Sequence, residues 1–138
     1  MKKKMLGALA LCALCSSAYA ELPAGWSSYS EKEHQMQIYK NSALNQIMVV
    51  KIVPMKQIPI SAKDYAEVTA QLIKKNCEDP KVDGDDKQAV IRCLHNGHES
   101  ATYVFKEENY GLTICSTMNG VREATVKEIL AEHRKNNQ

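Results

Sequence analysis

From His34 to Lys40 polar and apolar residues alternate, with Met36 and Ile38 on one side and Gln35 and Gln37 on the other. That two-residue period predicts a half-buried strand. Asn41 to Asn45 reads as a polar connection. Ile47-Met48-Val49-Val50-Lys51-Ile52-Val53 is β-branched and almost wholly apolar, the composition of a central strand covered on both faces. Pro54 and Pro59 end it, because proline cannot donate to a ladder. The period then changes. Ser61-Ala62-Lys63-Asp64 resembles a capping box with Asp in place of Glu, and Tyr65, Val68, Leu72 and Ile73 recur at helical spacing, predicting one apolar stripe on a helix that ends near Asn76 or Cys77. Residues 78–86, Glu-Asp-Pro-Lys-Val-Asp-Gly-Asp-Asp, read as an acidic, turn-rich loop.

Ala89 to His95 and His98 to Lys106 are strand-like runs separated by Asn96-Gly97. A two-residue Asn-Gly loop predicts a type I′ hairpin, which needs positive φ at both positions. Its register sets His95 opposite His98, Cys93 opposite Ser100 and Ile91 opposite Thr102. A turn at Glu107-Glu108-Asn109 leads to a third strand, Tyr110 to Met118. Asn119-Gly120 precedes a final helix carrying Val121, Thr125, Ile129 and Leu130, with a fraying tail from Glu132.

The predicted order is β-β-α-β-β-β-α, an α+β fold with a mostly antiparallel sheet and helices packed on one face. Val90, Leu94, Ala101, Tyr103, Phe105, Leu112 and Ile114 are the expected helix-covered face. Cys93, His95, His98, Ser100, Thr102, Val104 and Cys115 are the expected opposite, partly open face.

The first twenty residues change how composition is read. Lys2-Lys3-Lys4, an apolar run from Met5 to Leu14, and small residues at Ala18 and Ala20 have the three-part order of a cleavable secretory signal. The apolar run is about half the roughly 20 residues that a membrane-spanning helix needs. Cys12 and Cys15 each follow leucine, unlike a bacterial lipobox. The expectation is a mature chain from Glu21 to Gln138, one domain in the periplasm, with no membrane insertion after cleavage. The full chain has 18 Lys+Arg against 16 Asp+Glu. Without the three signal lysines the balance is 15 to 16, a net charge of −1. That removes the electrostatic case for nucleic acid or an anionic membrane.

Three of the five cysteines follow the signal: Cys77, Cys93 and Cys115. In an oxidising compartment one bridge and one leftover thiol are expected. With Cys93 and Cys115 on one face and a strand between them, their Cα atoms stand about 9–10 Å apart, beyond the roughly 7 Å limit of a disulfide. Cys77 is then one partner, with Cys93 favoured and Cys115 the alternative. Cys93, His95 and His98 on one side of the hairpin are a candidate zinc or copper set, provided Cys93 is reduced. The acidic loop lacks the spacing and closing glutamate of a calcium loop. No nucleophile elbow, zincin, phosphate-loop or dinucleotide motif occurs, so neither a cofactor nor an enzymatic activity is expected.

The element order, the Leu22-Pro23-Ala24-Gly25-Trp26 lead-in and Ser61-Ala62-Lys63-Asp64-Tyr65 at the helix start resemble the Mog1/PsbP-like fold, which includes small exported bacterial proteins of the DcrB-like kind. The resemblance implies a fold but no shared active site. The functional expectation is a periplasmic protein-binding module, in its specific form an immunity protein that blocks a toxin or effector by occlusion. Asp83, Asp85 and Asp86 are the candidate contacts, with Trp26 and Tyr29 as aromatic anchors. A metal or small-ligand carrier and an envelope accessory protein are the alternatives.

Overall fold

The computed structural model describes residues 22–33, 35–54, 60–108 and 111–136. The predicted signal segment lies outside them. Two compact units emerge. The larger, Trp26–Arg122, contains β1 (Trp26–Glu31), β2 (Met36–Asn41), β3 (Gln46–Pro54), α1 (Ala62–Leu72), β4 (Glu78–Gly84), β5 (Gln88–His95), β6 (His98–Glu107) and β7 (Gly111–Met118). All seven strands form one antiparallel sheet in the order β1-β2-β3-β7-β6-β5-β4. The class is α+β, as the sequence pattern predicts. No helix among the described residues is long and apolar enough to cross a membrane.

Local chemistry explains the elements that were legible. Asn96 and Gly97 have φ of 52° and 81°, and the hairpin they close has the expected register, His95 to His98, Cys93 to Ser100 and Ile91 to Thr102. Ser61 caps α1: its hydroxyl accepts from the Asp64 N–H at 3.0 Å. The helix ends earlier than its spacing suggests, at Leu72, and Ile73 to Asn76 form turns.

Two strands depart from the predicted order. β1 and β4 are the sheet's edges, and neither carries the apolar alternation of a half-buried strand. β1 is Trp-Ser-Ser-Tyr-Ser-Glu with its four central residues exposed. β4 is the stretch predicted as a loop. A register shift between Glu78 and Lys81 accommodates Pro80, after which Lys81 to Gly84 pair regularly with β5.

Face assignment also differs. α1 packs across β4, β5 and β6, and Ala62, Ala66 and Ala70 are buried with Ala89, Ile91, Val104, Leu112 and Ile114, flanked by Cys93 and Val82. On β5 and β6 the helix covers the face with Ile91, Cys93 and Val104, which was expected to stay partly open, and not the face with Val90, Leu94, Ala101, Tyr103 and Phe105; on β7 the β6–β7 register pairs Val104 with Ile114 and Tyr103 with Cys115. Leu112 and Ile114 therefore share a face with Val104, not with Tyr103 and Phe105. Cys115 lies on the opposite face from Cys93. The second face is not open either: Tyr103, Cys115, Thr117, Met48 and Val50 are all buried on it. The alanine stripe brings α1 close to the sheet and leaves Val68 and Leu72, expected in the core, 57% and 78% exposed.

The smaller unit contains Leu22–Gly25 and α2 (Glu123–Asn136). Glu123 begins α2 and pairs with Lys127 at 3.5 Å, while His133, Arg134 and Lys135 end it, the charge order that the helix dipole favours. Val126, Ile129, Leu130 and His133 are buried at helical spacing. Burial of Glu132 and His133 holds helical a stretch predicted to fray.

Candidate binding surfaces

The predicted disulfide forms. Cys77, just after α1, is joined to Cys93 on β5 with Cα atoms 5.1 Å apart. Cys115 lies outside the bridge and is fully buried. Cys93 and Cys115 are kept apart by β6, as expected, and additionally by facing opposite sides of the sheet. The bridge consumes the sulfur of the Cys93-His95-His98 set. His95 is engaged as well, its Nδ1 lying 2.6 Å from the Asn76 carbonyl oxygen, while His98 is exposed. No metal-ligand group of three or more exists among the described residues.

The acidic stretch divides into a strand and a turn. Asp83 faces solvent on β4, and its carboxylate accepts from the Gly84 N–H at 3.0 Å. Asp85 builds the turn into β5. Its Oδ1 accepts from the Lys87 N–H at 2.9 Å and the Gln88 N–H at 3.0 Å. Those two donors, Gln88 foremost, hold its carboxyl below the ordinary range. The carbonyls of Asp86 and Asp85 receive the Ala62 and Lys63 N–H groups at 2.8 and 3.1 Å. This turn therefore anchors the N-terminus of α1, whose first N–H groups lack partners within the helix. Asp85 is a structural residue as well as an exposed charge.

Trp26 is not part of that surface. It begins β1, half-buried, on the opposite edge of the sheet. Six strand spacings separate β1 from β4, about 29 Å. Trp26 and Asp83 thus serve different surfaces.

Two features beside β4 were not anticipated. A shallow groove of about 550 Å³ runs between α1 and β4, lined by Glu67, Gln71, Lys74, Glu78, Asp79 and Pro80. Val68 and Leu72, one turn apart on α1 and largely solvent-exposed, are not among its lining residues. Residues 78–86 carry Glu78, Asp79, Asp83, Asp85 and Asp86, offset only by Lys81, so α1 bears an exposed apolar pair and the strand it packs against bears an acidic edge. Periodicity alone assigns Val68 and Leu72 to the core, so the sequence conceals this surface.

The second feature is a cleft of about 270 Å³ on the sheet face opposite α1. Cross-strand pairing arranges its charges in rows. Glu78, Leu94 and Glu99 form one row, and Lys81, Arg92, Ala101 and Thr117 the next. Lys81 pairs with Asp79 at 3.3 Å. The Thr117 hydroxyl donates to the Ala101 carbonyl at 3.0 Å and accepts its N–H at 3.2 Å. Neither His95 nor His98 lines this cleft.

No protein-family model matches the chain, and neither does any curated protein or solved structure.

Proposed function

We propose that the protein is a protein-binding module of the periplasm whose partner surface is the α1–β4 side. The observation that carries this reading is the exposure of Val68 and Leu72 on α1, the helix that packs against the acidic edge strand β4. Exposed apolar side chains are unremarkable singly, but an i,i+4 pair on one helix has the form of a docking ridge. The acidic edge favours a partner with a basic cleft, speeds encounter and disfavours acidic competitors. The specific form we favour is an immunity-type inhibitor that occludes such a cleft on a toxin or effector acting in the same compartment.

The test is copurification from periplasm with the wild-type chain and with a Val68→Asp/Leu72→Asp double variant as baits. A stoichiometric partner held by wild type, weakened by salt and lost with the variant supports the reading. No such partner, or one held equally by both baits, removes it.

A second reading rests on the cleft at Arg92. Carboxylates in one row and cations in the next suit a small zwitterion, such as an amino acid or the terminus of a peptide. Calorimetric titration with an equimolar amino-acid mixture, against an Arg92→Ala control, tests it; heats equal to the control remove it.

A further inference from the structure

The two edges of the sheet are built differently. β4 carries Pro80, a register shift, Asp79 in the left-handed region at φ 48° and several carboxylates. These are the devices that keep an edge from pairing. β1 has none of them. It pairs with β2 over six consecutive residues without a bulge, contains no proline, and carries one charge, Glu31. Its outer side offers a regular row of backbone donors and acceptors.

We infer that β1 is the pairing edge for a second copy of this chain, in antiparallel register with Tyr29 opposite Tyr29 across a two-fold axis. Directly opposed residues in an antiparallel pair share a face, so only registers with an even residue sum are allowed. In the Tyr29-centred register the apolar row Tyr29–Ile38–Val49 continues into the same row of the second copy. Tyr29 is 55% exposed in the single chain, and this contact removes it from water.

The charges fit the same register. Glu31 falls opposite Ser27 of the second copy, whose neighbour on the other side is Lys40. Two strand spacings, about 10 Å, lie within the combined reach of a glutamate and a lysine, and symmetry makes the pair twice. On the other face Trp26 meets Lys32, a cation beside an indole. The neighbouring allowed registers have neither complement: centring on Ser28 sets Tyr29 against Ser27 and Glu31 against Gly25, and centring on Ser30 sets Tyr29 against Glu31. The dimer leaves both α1–β4 surfaces at its far ends, so this inference does not depend on the proposed partner surface.

The test uses the exported protein. Sedimentation velocity over a wide micromolar range should show a concentration-dependent dimer. Tyr29→Lys, which sets two ammonium groups on the axis, should leave a folded monomer by circular dichroism. Opposed residues have Cα atoms about 4.5–5.5 Å apart, within disulfide range. Tyr29→Cys should therefore give a covalent dimer under mild oxidation, whereas Ser27→Cys, facing Glu31, should not. Mixing Ser27→Cys with Glu31→Cys should restore the cross-link. Cys115, fully buried, does not compete. A monomer at every concentration, a dimer indifferent to Tyr29→Lys, or equal cross-linking through Ser27→Cys and Tyr29→Cys overturns the inference. So does a monomer whose β1 edge takes up an unrelated extended peptide.

Discussion

His95 donates from Nδ1 to the backbone oxygen of Asn76 at 2.6 Å, and the residues beside this contact, Cys77 and Cys93, are covalently joined. The end of α1 is thus clasped to the end of β5 twice, once by a disulfide and once by an imidazole. The side chains that could have made a metal set are instead the fastening of the helix to the sheet.

Breaking the covalent half of that clasp has a predictable cost. The bridge spans 16 residues, and closing a loop of that length in the unfolded chain is worth about 3 kcal/mol. A Cys77→Ala/Cys93→Ala variant, or reduction of the wild type, should lower the thermal midpoint by on the order of 10 °C. The check is thermal unfolding with and without reductant. The double variant should be insensitive to reductant, because it lacks the disulfide found among the described residues.

The tight passage from β4 into β5 yields a contrast between two glycines. Gly84 has φ 135°, and a Cβ there would collide with the Gln88 carbonyl oxygen and with Ala89. Gly97 has φ 81° with nothing within 4 Å of such a Cβ. Gly97→Ala should therefore cost only the backbone term, about 1 kcal/mol. Gly84→Ala adds a clash with backbone that also supports the start of α1, and should exceed about 3 kcal/mol. Urea unfolding of the two variants tests the ranking.

What was legible in the sequence was what neighbouring residues decide. Asn96-Gly97 specifies a turn type, and the turn specifies a register, so the β5–β6 ladder could be written down residue by residue. Cys77 and Cys93 followed from that ladder. β1 and β4 escaped because edge strands bury little on either face and need no alternation; Ser27-Ser28-Tyr29-Ser30 and Asp79-Pro80-Lys81 resemble loops by composition. The face of β7 escaped for a different reason. Its parity is set by the connection between Glu107 and Gly111, where no dipeptide dictates a turn type. The separation of Trp26 from Asp83 is a property of topology: β7 inserts beside β3, and β4 is carried to the far edge.

The alanine stripe of α1 offers a direct test of that difference. Hydropathy ranks Val68 and Leu72 above Ala66 and Ala70, whereas the structure buries the alanines and exposes the larger residues. Val68→Asp and Leu72→Asp should each change stability by about 0.5 kcal/mol or less. Ala66→Leu and Ala70→Leu must insert three carbons into a packed helix–sheet contact and should cost about 1–3 kcal/mol or more. Denaturant midpoints for the four variants would show the inversion. If the aspartates proved the more damaging pair, the helix would be rotated from the position described.

The pH dependence of stability should report on His133. It sits in the last turn of α2 at 9% exposure, and burial, reinforced by the neighbouring charge of Arg134, lowers its pKa from 6.5. A depressed histidine pKa means that the unfolded chain takes up the proton first. Between the unfolded value near 6.5 and the lower folded one, the unfolded state binds more protons, so stability rises with pH across that window. Acidification from neutrality should therefore lower the urea midpoint, beginning near pH 6.5. His133→Gln, which cannot titrate, should flatten this part of the profile whatever it does to stability at neutral pH. Urea midpoints of both proteins measured from neutral to mildly acidic pH make the comparison, and an unchanged slope in the variant would assign the pH dependence elsewhere.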